Sequence, residues 1–133
     1  MIYGCGVDLT YIPEFMEVMS DPKSFFIGKY FTDNEINYVR AKGERRGPGH
    51  LAGRYAAKEA FIKALDGPRL HQKEAIQIDY KEIEIRNDDS GRPYLKFYGK
   101  ILDYLNKIGI NKTHLSISHV GDYATAQVII EIL

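Results

Sequence analysis

The sequence predicts an α+β fold, and three observations lead there. Residues 2–9 alternate with the period of a strand, and residues 114–118 and 123–132 read as a hairpin around Val120-Gly121-Asp122. Between these ends lie segments of helical spacing, the clearest over residues 51–65. Helices and antiparallel hairpins mix along the chain without regular βαβ alternation, which separates the class from parallel α/β folds.

Taken in order, the first strand puts Tyr3, Cys5, Val7 and Leu9 on one face and Ile2, Gly4, Gly6 and Asp8 on the other. Cys5 sits in this apolar run and reads as a small buried hydrophobe. Thr10 is placed to cap a short helix through Met19, with Pro13 tolerated in its first turn, and Asp21-Pro22 breaks it. Thr32-Asp33-Asn34-Glu35 has the form of a capping box, so a helix is predicted over residues 33–42. Residues 41–50 (AKGERRGPGH), rich in glycine and charge, read as a mobile loop. In the helix that follows, Leu51, Tyr55, Ile62 and Leu65 recur at helical spacing, alanines raise the propensity, and Asp66-Gly67-Pro68 ends it. Residues 76–86 read as a strand whose parity changes between Tyr80 and Ile83, which requires a bulge or break near Lys81. Residues 87–93 (NDDSGRP) form a turn and residues 94–98 a short strand. Ile101, Leu102, Leu105 and Ile108 make a brief amphipathic helix closed by Gly109.

A chain of 133 residues is one domain's worth, spanning residues 1–133, and can bury a core without metal or disulfide staples. No stretch approaches the ~20 apolar residues of a membrane helix, and the N-terminus lacks a signal-peptide layout. A cytoplasmic protein with no membrane partner is therefore expected. Eighteen Lys plus Arg balance eighteen Asp plus Glu. The missing basic excess argues against nucleic acid as a partner, and zero net charge leaves little repulsion against self-association.

Three stretches could carry chemistry. Asp8 ends an apolar strand on a face lined by Ile2 and two glycines, which let another backbone or a ligand approach the carboxylate; the plain alternative is an aspartate that caps the next helix. In Arg54-Tyr55-Ala56-Ala57-Lys58-Glu59-Ala60-Phe61-Ile62-Lys63, Glu59 and Lys63 share a helix face. They form either an exposed ion pair or, with Arg54, a place for a metal and a polyphosphate. In His114-Leu115-Ser116-Ile117-Ser118-His119, polar side chains lie near a strand end beside a tight turn. Adjacent strand residues face opposite ways and no G-x-S-x-G elbow is present, which argues against a serine nucleophile.

Together these stretches resemble the holo-acyl-carrier-protein synthases of the 4′-phosphopantetheinyl transferase superfamily. Gly4-Cys5-Gly6-Val7-Asp8 resembles their G-x-G-[hydrophobic]-D, and Phe31-Thr32-Asp33-Asn34-Glu35 their F-T-x-x-E. Leu51 to Ala60 is similar to L-A-x-R-[F/W]-A-A-K-E-A, Gly91-Arg92-Pro93 to G-[K/R]-P, and Ser116-Ile117-Ser118-His119 with Tyr123-Ala124-Thr125-Ala126 to S-x-S-H…Y-A-x-A. The matches keep family order along nearly the whole chain.

The resemblance implies an antiparallel sheet wrapped against a long central helix, and a homotrimer with active sites at subunit interfaces. It implies transfer of 4′-phosphopantetheine from coenzyme A to a serine of an apo-acyl carrier protein, releasing 3′,5′-ADP. Asp8 and Glu59 would be the carboxylate ligands of Mg²⁺, which favours oxygen donors and keeps places for water and phosphate. Lys63 would meet the phosphates of coenzyme A. Arg54, Ser118 and His119 would help hold its phosphoadenosine or pyrophosphate, and Gly91, Arg92 and Pro93 would form the turn against which the adenine lies. Phosphoryl transfer demands mainly in-line positioning and charge neutralisation; Glu59 or a water on the metal would take the serine proton. One position departs from the family: Glu14 stands in the helix after Asp8 where an arginine would face an acidic carrier. A non-catalytic coenzyme A- or nucleotide-binding domain is the rival reading, and it leaves the pairing of Asp8 with Glu59 without a reason.

Overall fold

The computed structural model describes residues 1–69, 72 and 76–133. Strand β1 (Ile2–Tyr11) is followed by three short helices, α1 (Ile12–Met19), α2 (Phe26–Tyr30) and α3 (Asp33–Ala41), and by the long helix α4 (Gly43–Asp66). A small hairpin of β2 (Ile83–Asn87) and β3 (Pro93–Phe97), helix α5 (Gly99–Ile108) and a long hairpin of β4 (Ile110–Val120) and β5 (Tyr123–Ile132) complete it. The main sheet has the order β1-β5-β4 with every pairing antiparallel, and β2-β3 forms a second, two-stranded sheet. This is the α+β class expected, with antiparallel sheet against a long central helix. Among the described residues no helix is long and apolar enough to cross a membrane.

Two glycines set how β1 meets α4. A Cβ on Gly4 would lie 2.0 Å from the Ala64 carbonyl oxygen, and one on Gly6 2.0 Å from that of Ala60. The backbone that the glycines admit is therefore that of α4. The helix answers with fully buried Ala56, Ala57, Ala60 and Ala64, and its Phe61 and Leu65 fill the core with Val128 and Ile130 of β5, Ile83 and Ile85 of β2, and Ile101 and Leu105 of α5. A second cluster holds α1 down through Phe15 and Met19 against Phe31, Leu51 and Ala124.

Because the glycine face of β1 turns inward, the apolar face turns out. Val7 is 59% and Leu9 68% exposed, and Cys5 is exposed beside them. The expectation that Cys5 is buried is thus corrected: side chains on the two sides of a strand cannot both meet the one helix that covers it.

Helix α3 carries the predicted capping box, with the Glu35 N–H donating to Thr32 Oγ1 at 3.3 Å and the Thr32 N–H to Glu35 Oε1 at 3.0 Å. The left-handed Gly109 (φ 82°) closes α5 as expected. Other local expectations give way. Thr10 does not cap α1; its hydroxyl donates to Asp8 Oδ2 at 2.9 Å, and α1 starts on the Ile12 N–H bond to the Asp122 carbonyl. Residues 43–50 are helix rather than loop, despite Pro48 inside. Gly47 and Gly49 allow this stretch to lie against Val39 and His119, whose atoms a Cβ would meet at 3.2 and 3.1 Å, and that packing outweighs poor intrinsic propensity. The break near Lys81 is a 3₁₀ turn at Tyr80–Glu82; the strand begins only at Ile83, while Ile76 and Ile78 pack on the core without pairing.

Candidate functional site

The approach of β1 to α4 brings Asp8, Glu59 and Lys63 together. Lys63 Nζ stands 3.1 Å from Asp8 Oδ1 and also donates to the Val7 carbonyl at 3.0 Å. Lys63 therefore pairs across the strand–helix junction. Asp8 is anchored from both sides: Thr10 holds Oδ2, and Thr125 Oγ1 donates to its carbonyl at 2.9 Å.

Glu59 is half-buried, and Tyr30 donates its hydroxyl to Glu59 Oε1 at 3.2 Å. Burial pushes the Glu59 carboxyl above its ordinary range; the Asp8 charge adds to this, while Tyr30 and Lys63 oppose it. Tyr55, tilted against Tyr30, is itself pushed up to about 12 by burial and by the charges of Glu59 and Asp8. Tyr30 stacks on Tyr80 with centroids 3.8 Å apart. No sequence pattern marked Tyr30, because α2 is too short to show a period and its contact with Glu59 spans 29 residues.

The Asp8 and Glu59 carboxylates repel one another when both are charged, and a cation relieves that repulsion. Asp8 and Glu59 offer hard oxygen donors, Lys63 already lies on one of them, and so small a donor set suits an ion that keeps several positions for water and phosphate oxygen. The residues fit Mg²⁺. A trough beside Asp8 runs along Leu9, Tyr11, Phe15, Val18 and Phe26, with Glu14 on its wall.

Lys58, next to Glu59, has a different task. Its side chain is 0% exposed and its ammonium lies 2.7 Å from the equally buried Glu35, with further bonds to the carbonyls of Tyr30 and Tyr80. Glu35 in turn accepts from the Ile85 N–H at 3.1 Å, so the pair ties α4, α3 and β2 together.

The remaining predicted residues gather elsewhere. Arg54, Gly91, Pro93 and His119 line one cleft together with Tyr38, His50 and Asn87. Arg54 is 4% exposed; its Nη2 donates to Asn87 Oδ1 at 2.6 Å and its guanidinium lies 3.9 Å above the Tyr38 ring. Gly91 takes φ 81°, which keeps the turn tight, and Asn87 Nδ2 donates to its carbonyl at 3.0 Å. Arg92 points away, exposed and paired with Asp88 at 3.0 Å. Ser118 is exposed on the sheet face opposite to Ile117 and His119, which line the cleft. Among the described residues neither Asp8, Glu59 nor Lys63 lines this cleft. The chain thus carries a carboxylate–amine centre and a basic cleft as two separate groups. His50 escaped sequence reasoning because it falls in the stretch read as loop.

Comparison with known proteins identifies the family and the fold. The sequence profile of the 4′-phosphopantetheinyl transferase superfamily matches residues 4–128. The holo-[acyl-carrier-protein] synthase of Syntrophus aciditrophicus (strain SB) is 40% identical over 132 residues, covering 98% of this chain and 97% of that protein. The ACPS–CoA complex of Chronobacterium ammoniagenes superposes with a TM-score of 0.85 at 38% identity, covering 98% of this chain and 97% of the other. The holo-(acyl-carrier-protein) synthase of Bacillus anthracis str. Ames, solved in complex with CoA (3′,5′-ADP), gives 0.75 at 31% identity, covering 100% and 99%.

Proposed function

The chain belongs to the 4′-phosphopantetheinyl transferase superfamily, among the holo-[acyl-carrier-protein] synthases, and from that premise we propose that it moves 4′-phosphopantetheine from coenzyme A to a serine of an apo-acyl carrier protein, with Mg²⁺ as cofactor and 3′,5′-ADP as the leaving group. The observation that carries the reading is the junction of Asp8, Glu59 and Lys63 where β1 crosses α4.

In the reaction a serine Oγ attacks the β-phosphorus of coenzyme A. The new O–P bond forms as the pyrophosphate P–O bond breaks, and the electron pair leaves with 3′,5′-ADP. Asp8 and Glu59 would hold Mg²⁺, and the chemistry it supplies when bound is neutralisation of charge on the phosphate oxygens. Lys63 Nζ adds a second positive charge beside Asp8, and Glu59 takes the serine proton. Tyr30 keeps one Glu59 oxygen fixed while it does so. Arg54, His119, Gly91 and Pro93 hold the adenosine end of coenzyme A in the basic cleft.

The separation of the two groups supports a site assembled between subunits of a homotrimer, one subunit supplying Asp8, Glu59 and Lys63 and its neighbour the cleft, in a cytoplasmic enzyme. The outward face of β1 supplies the apolar surface that such an assembly needs. The test is incubation with coenzyme A, Mg²⁺ and a panel of apo-acyl carrier proteins. The expected result is a carrier mass gain equal to phosphopantetheine; coenzyme A binding with unchanged carrier masses across the panel would leave only a binding domain.

A further inference from the structure

Two clefts meet at a pair of imidazoles. His50 on α4 and His119 at the end of β4 stand with ring centroids 5.2 Å apart and planes at 70°. Both rings line the cleft that holds Arg54 and Pro93, and both line a second one whose wall includes Arg45, Arg46 and Asp122. Gly49 makes the meeting possible, since its Cβ would sit 3.1 Å from His119 Nδ1. Tyr38 of α3 meets His50 edge-on at 5.7 Å. The charged and titratable groups around His50 are thus His119 from β4, Lys42, Arg45, Arg46 and Arg54 at and along α4, Tyr38 from α3, and Asp122 from the β4–β5 turn.

Cations outnumber carboxylates here, and an incoming phosphate dianion would reverse that balance. Burial, first, and the surrounding positive charges hold the His50 imidazole below its ordinary value, so one more positive charge in this cleft is disfavoured. An anion between His50, His119 and the arginines removes the cost of one more positive charge.

We propose that His50 is a second imidazole of the phosphate-binding cleft, and that it takes up a proton when a phosphate monoester of the coenzyme A type enters between it, His119, Arg45 and Arg46. The inference rests on the coenzyme A reading above and adds to it a residue and a linked proton. A group whose bound value exceeds its free value makes binding tighten as pH falls between the two. The phosphate's own second ionisation, near pH 6, works in the opposite sense. The measurement therefore belongs between pH 7 and about 8.5, where the phosphate is dianionic.

Titration calorimetry with 3′,5′-ADP at pH 7, in two buffers of different ionisation enthalpy, counts the protons taken up. The wild-type protein should take up a measurable fraction of a proton and bind several-fold more weakly at pH 8 than at pH 7. His50→Gln should lose at least half of that uptake and flatten the pH dependence. In the wild-type protein, the NMR titration midpoint of His50 should move upward on adding 3′,5′-ADP, a readout that needs no variant. Unchanged uptake in His50→Gln, an affinity loss equal at every pH, or a stationary His50 midpoint would each overturn the inference. Binding without proton uptake sinks this inference alone, whereas failure to bind either coenzyme A or 3′,5′-ADP sinks the functional reading with it.

Discussion

Glu59 stands half-buried on α4, with the Tyr30 hydroxyl on one oxygen and the Asp8 charge nearby, and burial raises its carboxyl above the ordinary range. The direction has a consequence for stability. The folded protein holds a proton that the unfolded chain has already released, so folding stability falls as pH climbs from the unfolded value through the folded one. Above that window the ionised carboxylate works against the fold. Glu59→Gln keeps the shape and removes the charge. Without metal at pH 7.5 the variant should melt at or above the wild-type temperature, and below about pH 4 the difference should vanish. Added Mg²⁺ should raise the melting temperature of the wild type and not of the variant, and turnover should drop at least about a hundredfold. Near-normal turnover would remove Glu59 from the chemistry. The same reasoning separates Glu59 from its neighbour Lys58, whose ammonium is spent on Glu35 in the interior.

At the scale of elements, the site exists because β1 lies against α4 with no side chain between them at Gly4 and Gly6. Gly6→Ala forces a methyl onto the Ala60 carbonyl oxygen, a backbone atom that cannot swing aside, and should destabilise the fold by about 2 kcal/mol or more. Because Asp8 follows two residues later, the strand's displacement should also loosen the Asp8–Lys63 contact and lower turnover beyond the loss of folded protein. Gly28→Ala in α2 is the control: nothing lies within 4 Å of its added Cβ, so it should be neutral or slightly stabilising. Thermal melting of the two variants side by side decides the matter, and equal melting temperatures would show that β1 can retreat without cost.

For the molecule as a whole, the open face of the main sheet is the feature that one chain leaves incomplete. Val7 and Leu9 of β1 lie uncovered, with Tyr123 of β5 and Val120 of β4 exposed near the turn. Apolar strand faces of this kind can serve as association surfaces, and the proposed division of the candidate residues between a carboxylate centre and a basic cleft would give association a functional purpose. Light scattering should return three times the 15.2 kDa chain mass for the wild type. Leu9→Lys, which places a charge on the open face without touching α4, should give a folded monomer with turnover reduced at least about tenfold. A monomeric wild type at full activity would require each chain to bridge its own two groups and would overturn the shared site.

Much was legible in the sequence because it is written locally. The period of β1, the capping box at Thr32 and Glu35, the glycine stop of α5 and the hairpin closing on Tyr123 each depend on residues within a few positions, and each appears in the structure. The ordered motifs also carried the family and singled out Asp8 and Glu59 as candidates, with Lys63 on the same helix face as Glu59. What the sequence left open depends on residues far apart in the chain. Which face of β1 is buried could not be read from apolar alternation, because the glycines give α4 a closer approach than any side chain allows, and Cys5 therefore faces outward. The first turns of α4 run through glycines and a proline because α3 and His119 hold them there, against local propensity. Tyr30 reaches Glu59, and His50 meets His119, only once separate helices and strands are packed. The sequence alone determined the locally coded elements, the family and the candidate residues for the chemistry; the tertiary structure decided the remaining elements and which residues touch, because such contacts are set by the closeness of backbones that packing permits.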